Sequence, residues 1–231
     1  PKNRNFLVFT GLEEMVLKLK GLRFDDKQIK LLKKWKLISN NFAGYLKKLK
    51  FAGDVWAMPE GTLFFPGEPV VRITAPLIQA NLLTAFLITS LCSNTIFSSK
   101  YIRSVIAAKG IAVIGPSSNR AHSFESAFKA QRSGFIAGGH DLPNPLIREK
   151  LGLNIIGGAT IAYHAYINSY SSELEAMTLA AKHSKVTLSL MVDTYNYRQG
   201  IKNAISVAKK IQTQVKKEIK IVVDSGDLYK N

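Results

Sequence analysis

Beyond residue 110 the chain alternates short, continuously apolar runs with helix-length amphipathic segments. This constrains its fold more than any other feature. Residues 111–114, 154–156, 186–192 and 219–223 read as strands; residues 124–136, 171–183 and 201–215 read as helices between them. A strand apolar at consecutive positions is buried on both faces, and parallel neighbours need a helix-length crossover. The expectation is therefore an α/β region carrying part of a parallel βα barrel, with roughly half the strands of a closed one. In that architecture functional groups collect beyond the C-terminal ends of the strands. Those ends are where Ser117 to Arg120, His164, Asp193-Thr194 and Asp224-Ser225-Gly226-Asp227 fall.

Residues 1–110 follow another grammar. Residues 6–9 read as a strand, and 13–19, 25–37 and 39–49 as short helices, with Asp25 and Ser39 as N-caps. A hairpin is expected within residues 55–73. Leu63, Phe64 and Phe65 form one strand, Val70, Val71 and Ile73 the other, and Pro66-Gly67 the turn. Residues 77–92 and 94–108 read as two helices separated by the polar pair Ser93-Asn94. An N-terminal α+β domain, 1–110, would thus precede a partial barrel domain, 111–231, that carries the site.

With 46% hydrophobic residues in 231, the chain can bury a substantial core. A single cysteine, Cys92, rules out an internal disulfide and suits a reducing compartment. No basic-then-apolar leader opens the sequence. The apolar stretch 75–92 contains Gln79, Asn81, Thr84, Thr89 and Ser90, and reads as a buried core helix in place of a membrane span. A cytoplasmic protein is expected. The net charge is +16, with lysines dense between Lys18 and Lys50. Ile29, Leu32 and Trp35 recur at helical spacing, so these lysines read as a solvated outer face that steers anions, without a nucleic-acid motif.

The motifs carry a resemblance. Pro59-Glu60-Gly61-Thr62 leads into Glu68-Pro69 and Arg72; Asn119-Arg120-Ala121-His122, Gly138-Gly139 and Thr160 to Tyr166 follow. Then come Ser172-Glu173-Leu174-Glu175-Ala176, Val192-Asp193-Thr194-Tyr195 and Asp224-Ser225-Gly226-Asp227-Leu228. In order and spacing these blocks resemble the nicotinate phosphoribosyltransferase family from about Phe6 to Leu228. The resemblance implies transfer of a phosphoribosyl group from phosphoribosyl pyrophosphate to nicotinate, giving nicotinate mononucleotide for NAD salvage. ATP would be the energy source, Mg2+ the counter-ion and a homodimer the assembly. It also implies further segments at both ends, so the chain is expected to be truncated.

Carried over residue by residue, the resemblance makes His164 the histidine that couples ATP hydrolysis to transfer. It makes Arg120 the grip on the nicotinate carboxylate, a role suited to a planar bidentate guanidinium. Asn144, Thr160, Asp193, Asp224, Ser225, Gly226 and Asp227 are implied as substrate-binding, with Asp193 and Asp224 also holding the metal. An oxocarbenium-like transition state with a pyrophosphate leaving group needs such carboxylates and phosphate donors. After a strand, the Asp-Ser-Gly-Asp turn lets backbone amides approach a phosphate. Glu173 and Glu175 read as a solvated or interface side of their helix.

Several blocks depart from the family pattern. Asn119 and Val222 stand where arginines are usual, and only Asn144 survives of a Gly-Thr-Ser-Asn segment. Extra residues including Tyr163 precede His164; one added residue in a helix would turn the ring by about 100°. These departures support a second expectation, an inactive member that binds a partner or oligomerises.

Overall fold

The computed structural model describes residues 5–115, 118–140, 144–153, 160–185, 187–212 and 218–226. They form two compact units, 1–153 and 154–231. The boundary expected after residue 110 falls inside the first unit, because the helices on either side of it pack along one another.

In the first unit β1 (Leu7–Val8) leads into α1 (Leu12–Lys20). Glu13 and Glu14 in the first turn and Lys18 and Lys20 in the last complement the helix dipole. The expected caps are present on the next two helices. Asp25 closes a capping box with Gln28 on α2 (Asp26–Lys34), and the Ser39 hydroxyl accepts from Phe42 N on α3 (Asn40–Lys48). Ile29 is buried between these helices, but Trp35 is 57% exposed. Trp35 is the C-cap of α2, ahead of Lys36 at φ 56°, and so leaves the apolar stripe.

The expected hairpin does not form. β2 (Asp54–Ala57) pairs antiparallel with β4 (Val71–Thr74), whereas β3 (Leu63–Phe64) pairs antiparallel with β1. The turn itself is present. Glu68 N donates to Phe65 O, the Glu68 carboxylate accepts from Phe65 N at 2.8 Å, and Gly67 takes φ 93°. This tight local closure ends β3 at Phe64, and the chain beyond Pro69 pairs with an earlier strand instead.

α4 (Leu77–Ala107) runs unbroken through Ser93-Asn94. The polar pair does not interrupt it because its groups find partners along the helix: Ser93 Oγ and Asn94 Nδ2 both donate to Ser90 O. α4 is long and apolar enough to cross a membrane by length and composition, yet its buried residues are mainly polar. These polar groups satisfy the backbone of residues 8–10. Val8 N donates to Ser99 Oγ at 2.9 Å, Ser98 Oγ donates to Val8 O at 2.7 Å, and Thr95 Oγ1 donates to Thr10 O at 3.2 Å. Leu77, Ile88 and Ile106 are more than half exposed, so the expectation of a buried apolar helix is reversed face for face.

Residues 111–114, expected as a strand, form none; Ile111 and Ile114 are exposed. A 3-10 turn over Ser118–Arg120 leads into α5 (Phe124–Ile136), capped by Ser123, and α6 (Pro145–Lys150), capped by Asn144. Glu60, from the Pro-Glu-Gly-Thr motif, ties the start of α1 to α5. Its Oε1 accepts from Gly11 N at 2.5 Å, Leu12 N at 3.1 Å and Arg132 at 2.9 Å; its Oε2 accepts from Arg132 at 2.7 Å. Gly11 sits at φ 101°, and a Cβ there would lie 3.0 Å from that of Asn94, so the turn feeding α1 needs glycine.

The second unit carries a parallel sheet in the order β5 (Thr160–Ala162), β6 (Leu188–Met191), β7 (Ile219–Val222). The strand expected at 154–156 lies outside the described residues. Helices α7 (His164–Ile167), α8 (Glu173–His183) and α9 (Tyr197–Gln212) connect and cover the strands. β6 is buried at every position, as its apolar run requires. β7, expected to be buried, is an edge of the described sheet with Ile221 and Val223 exposed. Gly200 of α9 lies so close to Val192 O that no side chain fits there.

Burial pushes the Glu60 carboxyl up, but Arg132 and the two amides outweigh it and hold the group below its ordinary value of 4.5. The stability it contributes is full above pH 4.5 and is lost as the pH falls through the lower folded-state value. Glu60→Gln is expected to cost about 2 kcal/mol at pH 7 and to flatten acid unfolding in this range, as measured by denaturant titration across pH.

Candidate active site

In the second unit His164, Asp193 and the loop opened by Asp224-Ser225 converge beyond the C-terminal ends of β5, β6 and β7. His164 is the first residue of α7, directly after the extended Tyr163. Its Nδ1 shares a 2.9 Å hydrogen bond with Thr194 Oγ1, and its Nε2 lies 3.8 Å from Asp193 Oδ1. The ring thus faces Asp193 and Thr194 just beyond β6. Tyr163 precedes the helix and projects to solvent, 56% exposed, while the imidazole turns towards β6.

Asp193 is the centre of this arrangement; its side chain is only 7% exposed. Its Oδ2 accepts from Asp224 N at 2.6 Å, Ser225 N at 2.6 Å and Ser225 Oγ at 2.7 Å. Burial raises the Asp193 carboxyl, but these bonds together outweigh it and hold the group below the usual carboxylate range. The loop after β7 thus closes on a carboxylate from this chain, with Gly226 at φ 81° completing the turn. The amides of Asp224 and Ser225, expected to approach a phosphate, are taken by this internal anion. Asp193 Oδ1 is buried without a hydrogen bond and faces the imidazole.

Among the described residues no cluster of three or more His, Cys, Asp or Glu is placed to hold a metal. Mg2+ commonly uses one or two protein carboxylates together with water and substrate phosphates. The exposed carboxylate of Asp224 fits that pattern; Asp193, with Oδ2 saturated and Oδ1 buried, does not. The side chain of Thr160 and the whole of Asp227 lie outside the described residues.

Glu173, read as lying on a solvated or interface side of its helix, is buried because α9 covers this end of α8. Its Oε2 accepts from Asn203 Nδ2 at 2.8 Å, and its Oε1 is buried without a partner. Burial raises its carboxyl and the charge of Asp193 adds to this, against the Asn203 bond. Its neighbour Glu175 is exposed as expected.

In the first unit Arg120 ends the 3-10 turn. Ser118 Oγ anchors that turn by accepting from Gln131 Nε2 at 2.9 Å and Asn144 Nδ2 at 3.2 Å. Asn144 also accepts from Leu146 N at 3.0 Å, so it caps α6 and positions the turn. Arg120, Ala121 and His122 border a cavity of about 350 Å3 whose other walls are Phe97, Lys100, Tyr101 and Ser104 of α4 and Ser126, Ala127 and Ala130 of α5. Tyr101 OH donates to Val113 O at 2.9 Å, and burial pushes the phenol up, keeping it neutral. Lys100 escaped the sequence reading. Its i, i+3, i+4 and i+7 relation to Phe97, Tyr101 and Ser104 is visible there, but what that face meets is not.

Residues 1–92 match the family model described as the nicotinate phosphoribosyltransferase (NAPRTase) N-terminal domain. Across 229 residues, 99% of its length, the chain is 34% identical to a nicotinate phosphoribosyltransferase of Mycobacterium tuberculosis, of which it covers 48%. Its similarity is therefore to nicotinate phosphoribosyltransferases. A second nicotinate phosphoribosyltransferase, from Bacillus subtilis, is 33% identical over 99% of the chain and 46% of its own length. The chain spans about half the length of these curated relatives. The crystal structure of human nicotinic acid phosphoribosyltransferase superposes with a TM-score of 0.81 at 20% identity, over 99% of this chain and 55% of that one, which shows a shared fold. Val222 is half-buried and packs against the core of the second unit.

Because the folded state favours the protonated form of Glu173, the stability this group supports is full below pH 4.5 and is lost as the pH rises through its raised folded-state value. Glu173→Gln keeps an acceptor for Asn203 and removes the buried charge. It is expected to stabilise the chain by about 1 kcal/mol at pH 7 and by little at pH 4, in thermal melts at the two pH values.

Proposed function

We propose that this chain takes part in transfer of the phosphoribosyl group of phosphoribosyl pyrophosphate to the ring nitrogen of nicotinate, giving nicotinate mononucleotide and pyrophosphate. The observation that carries this reading is the convergence of His164, Asp193, Thr194 and the Asp224–Gly226 loop at one end of three parallel strands. We read those strands as an arc of a βα barrel, whose C-terminal strand ends hold such chemistry. The names of the curated relatives support the choice of substrates.

Arg120 grips the carboxylate of nicotinate in the cavity that it shares with His122, orienting the ring between Phe97 and Tyr101. Asp224 offers an exposed carboxylate for ribose hydroxyls or Mg2+, and Asp193 fixes the backbone of the loop that carries it. Gly226 belongs to the same loop after β7. Mg2+ would neutralise pyrophosphate as it leaves, and ATP would supply the driving force. Thr194 holds Nδ1 of the His164 imidazole, and the Asp193 carboxylate faces Nε2. That carboxylate stabilises positive charge on the ring when it takes up a phosphoryl group. Apolar side chains exposed along α4, among them Leu82, Ile88 and Ile96, favour a homodimer.

Turnover is tested with nicotinate, phosphoribosyl pyrophosphate, Mg2+ and ATP; absence of any product with folded protein sinks this reading in favour of an inactive binding or oligomerising role. Arg120→Lys replaces a fork by a point charge and is expected to lower nicotinate affinity about tenfold, measured calorimetrically. Equal affinity in the two proteins would remove Arg120 from the site.

A further inference from the structure

The cavity beside Arg120 is unusual for its charge. Lys100, Arg120 and His122 all line it, and no carboxylate does. None of the three makes a hydrogen bond or ion pair with the described residues. Several basic groups elsewhere in the first unit are paired with carboxylates. Lys18 and Lys129 meet Glu14, Lys47 meets Asp26, and Arg132 meets Glu13 and Glu60. Another cavity of this unit, of about 390 Å3, also holds several cations but includes Glu14 and Glu125 in its wall.

The remaining lining of the first cavity is aromatic or small: Phe97, Tyr101, Ala121, Ala127 and Ala130. A flat ring stacks on such walls, and an anionic substituent on that ring would meet cations already free of partners. Tyr101 is held to Val113 O, so its hydroxyl does not compete for them.

We propose that Lys100 is a second cationic anchor for the carboxylate of the aromatic acid bound here, and that it sets the preference for acid over amide. The inference rests on the reading of Arg120 as the carboxylate grip and adds a residue to that site. Arg120 fixes orientation through two parallel hydrogen bonds, whereas the Lys100 ammonium adds charge on a flexible stem. A neutral carboxamide gains little from that charge, so the lysine acts on the difference between the two ligands.

The test is calorimetric titration of the chain and its Lys100→Met, Lys100→Arg and Arg120→Lys variants with nicotinate, nicotinamide and pyrophosphate. Lys100 is exposed, so an unchanged melting temperature is expected in both of its variants. Lys100→Met is expected to lose about tenfold in nicotinate affinity while nicotinamide affinity stays within about twofold; Lys100→Arg retains most of the preference. Unchanged nicotinate affinity in Lys100→Met, with Arg120→Lys weakened, overturns this inference and leaves the proposed function standing. An equal loss for acid and amide makes the lysine a packing element and also overturns it. So does a loss confined to pyrophosphate, which would assign the cation to phosphate. Failure of the unaltered chain to bind nicotinate removes the carboxylate site and this inference with it.

Discussion

The first unit depends on side-chain hydroxyls taking the place of a neighbouring strand. Residues 8–10 run against α4, and a helix offers no free backbone groups along its side. Ser98, Ser99 and Thr95 supply the missing donors and acceptors instead. Thr10 Oγ1 adds bonds to Ser98 and Ser133, joining α4 to α5 through the same contact. A buried backbone group without a partner costs about 1–3 kcal/mol, so this polar seam is a condition for burying β1. It also explains why α4 keeps apolar residues on its outer side: its inner side is committed to hydrogen bonding.

Two carboxylates organise loops by a shared device. Glu60 gathers the first amides of α1 and the Arg132 guanidinium; Asp193 gathers the amides and hydroxyl that follow β7. In each case an anion supplied by the chain occupies a position to which several N–H groups point. The difference lies in what faces the second oxygen. Glu60 Oε2 meets a permanent cation, whereas Asp193 Oδ1 faces a histidine whose charge depends on its proton. The first is built to stay; the second can respond to events on the ring.

Local signals in the sequence translated well where a residue's own chemistry decides. Asp25 and Ser39 cap their helices, α5 spans residues 124–136 as read, and the apolar runs at 188–191 and 219–222 pair in parallel. Pairing partners were not legible, because the turn at Pro66-Gly67 is equally compatible with strands that separate after it. Nor was the polarity of α4, where serine and threonine read as interruptions of an apolar helix until the segment they bond is known. Glu173 and Lys100 show the same limit from opposite sides. A glutamate opening a helix and a lysine on a helix face are usually solvated, and only tertiary packing buries one and aims the other.

The described sheet places its most buried strand in the middle, and residues immediately after that strand hold both the imidazole and the loop beyond β7. Thr194 and Asp193 are consecutive, so the ring and the Asp224–Gly226 turn share one reference point. A small displacement of β6 would carry both with it and leave their mutual spacing intact. Displacements of these groups are therefore correlated, and their tolerance to substitutions in the surrounding core is set by the stiffness of a single strand.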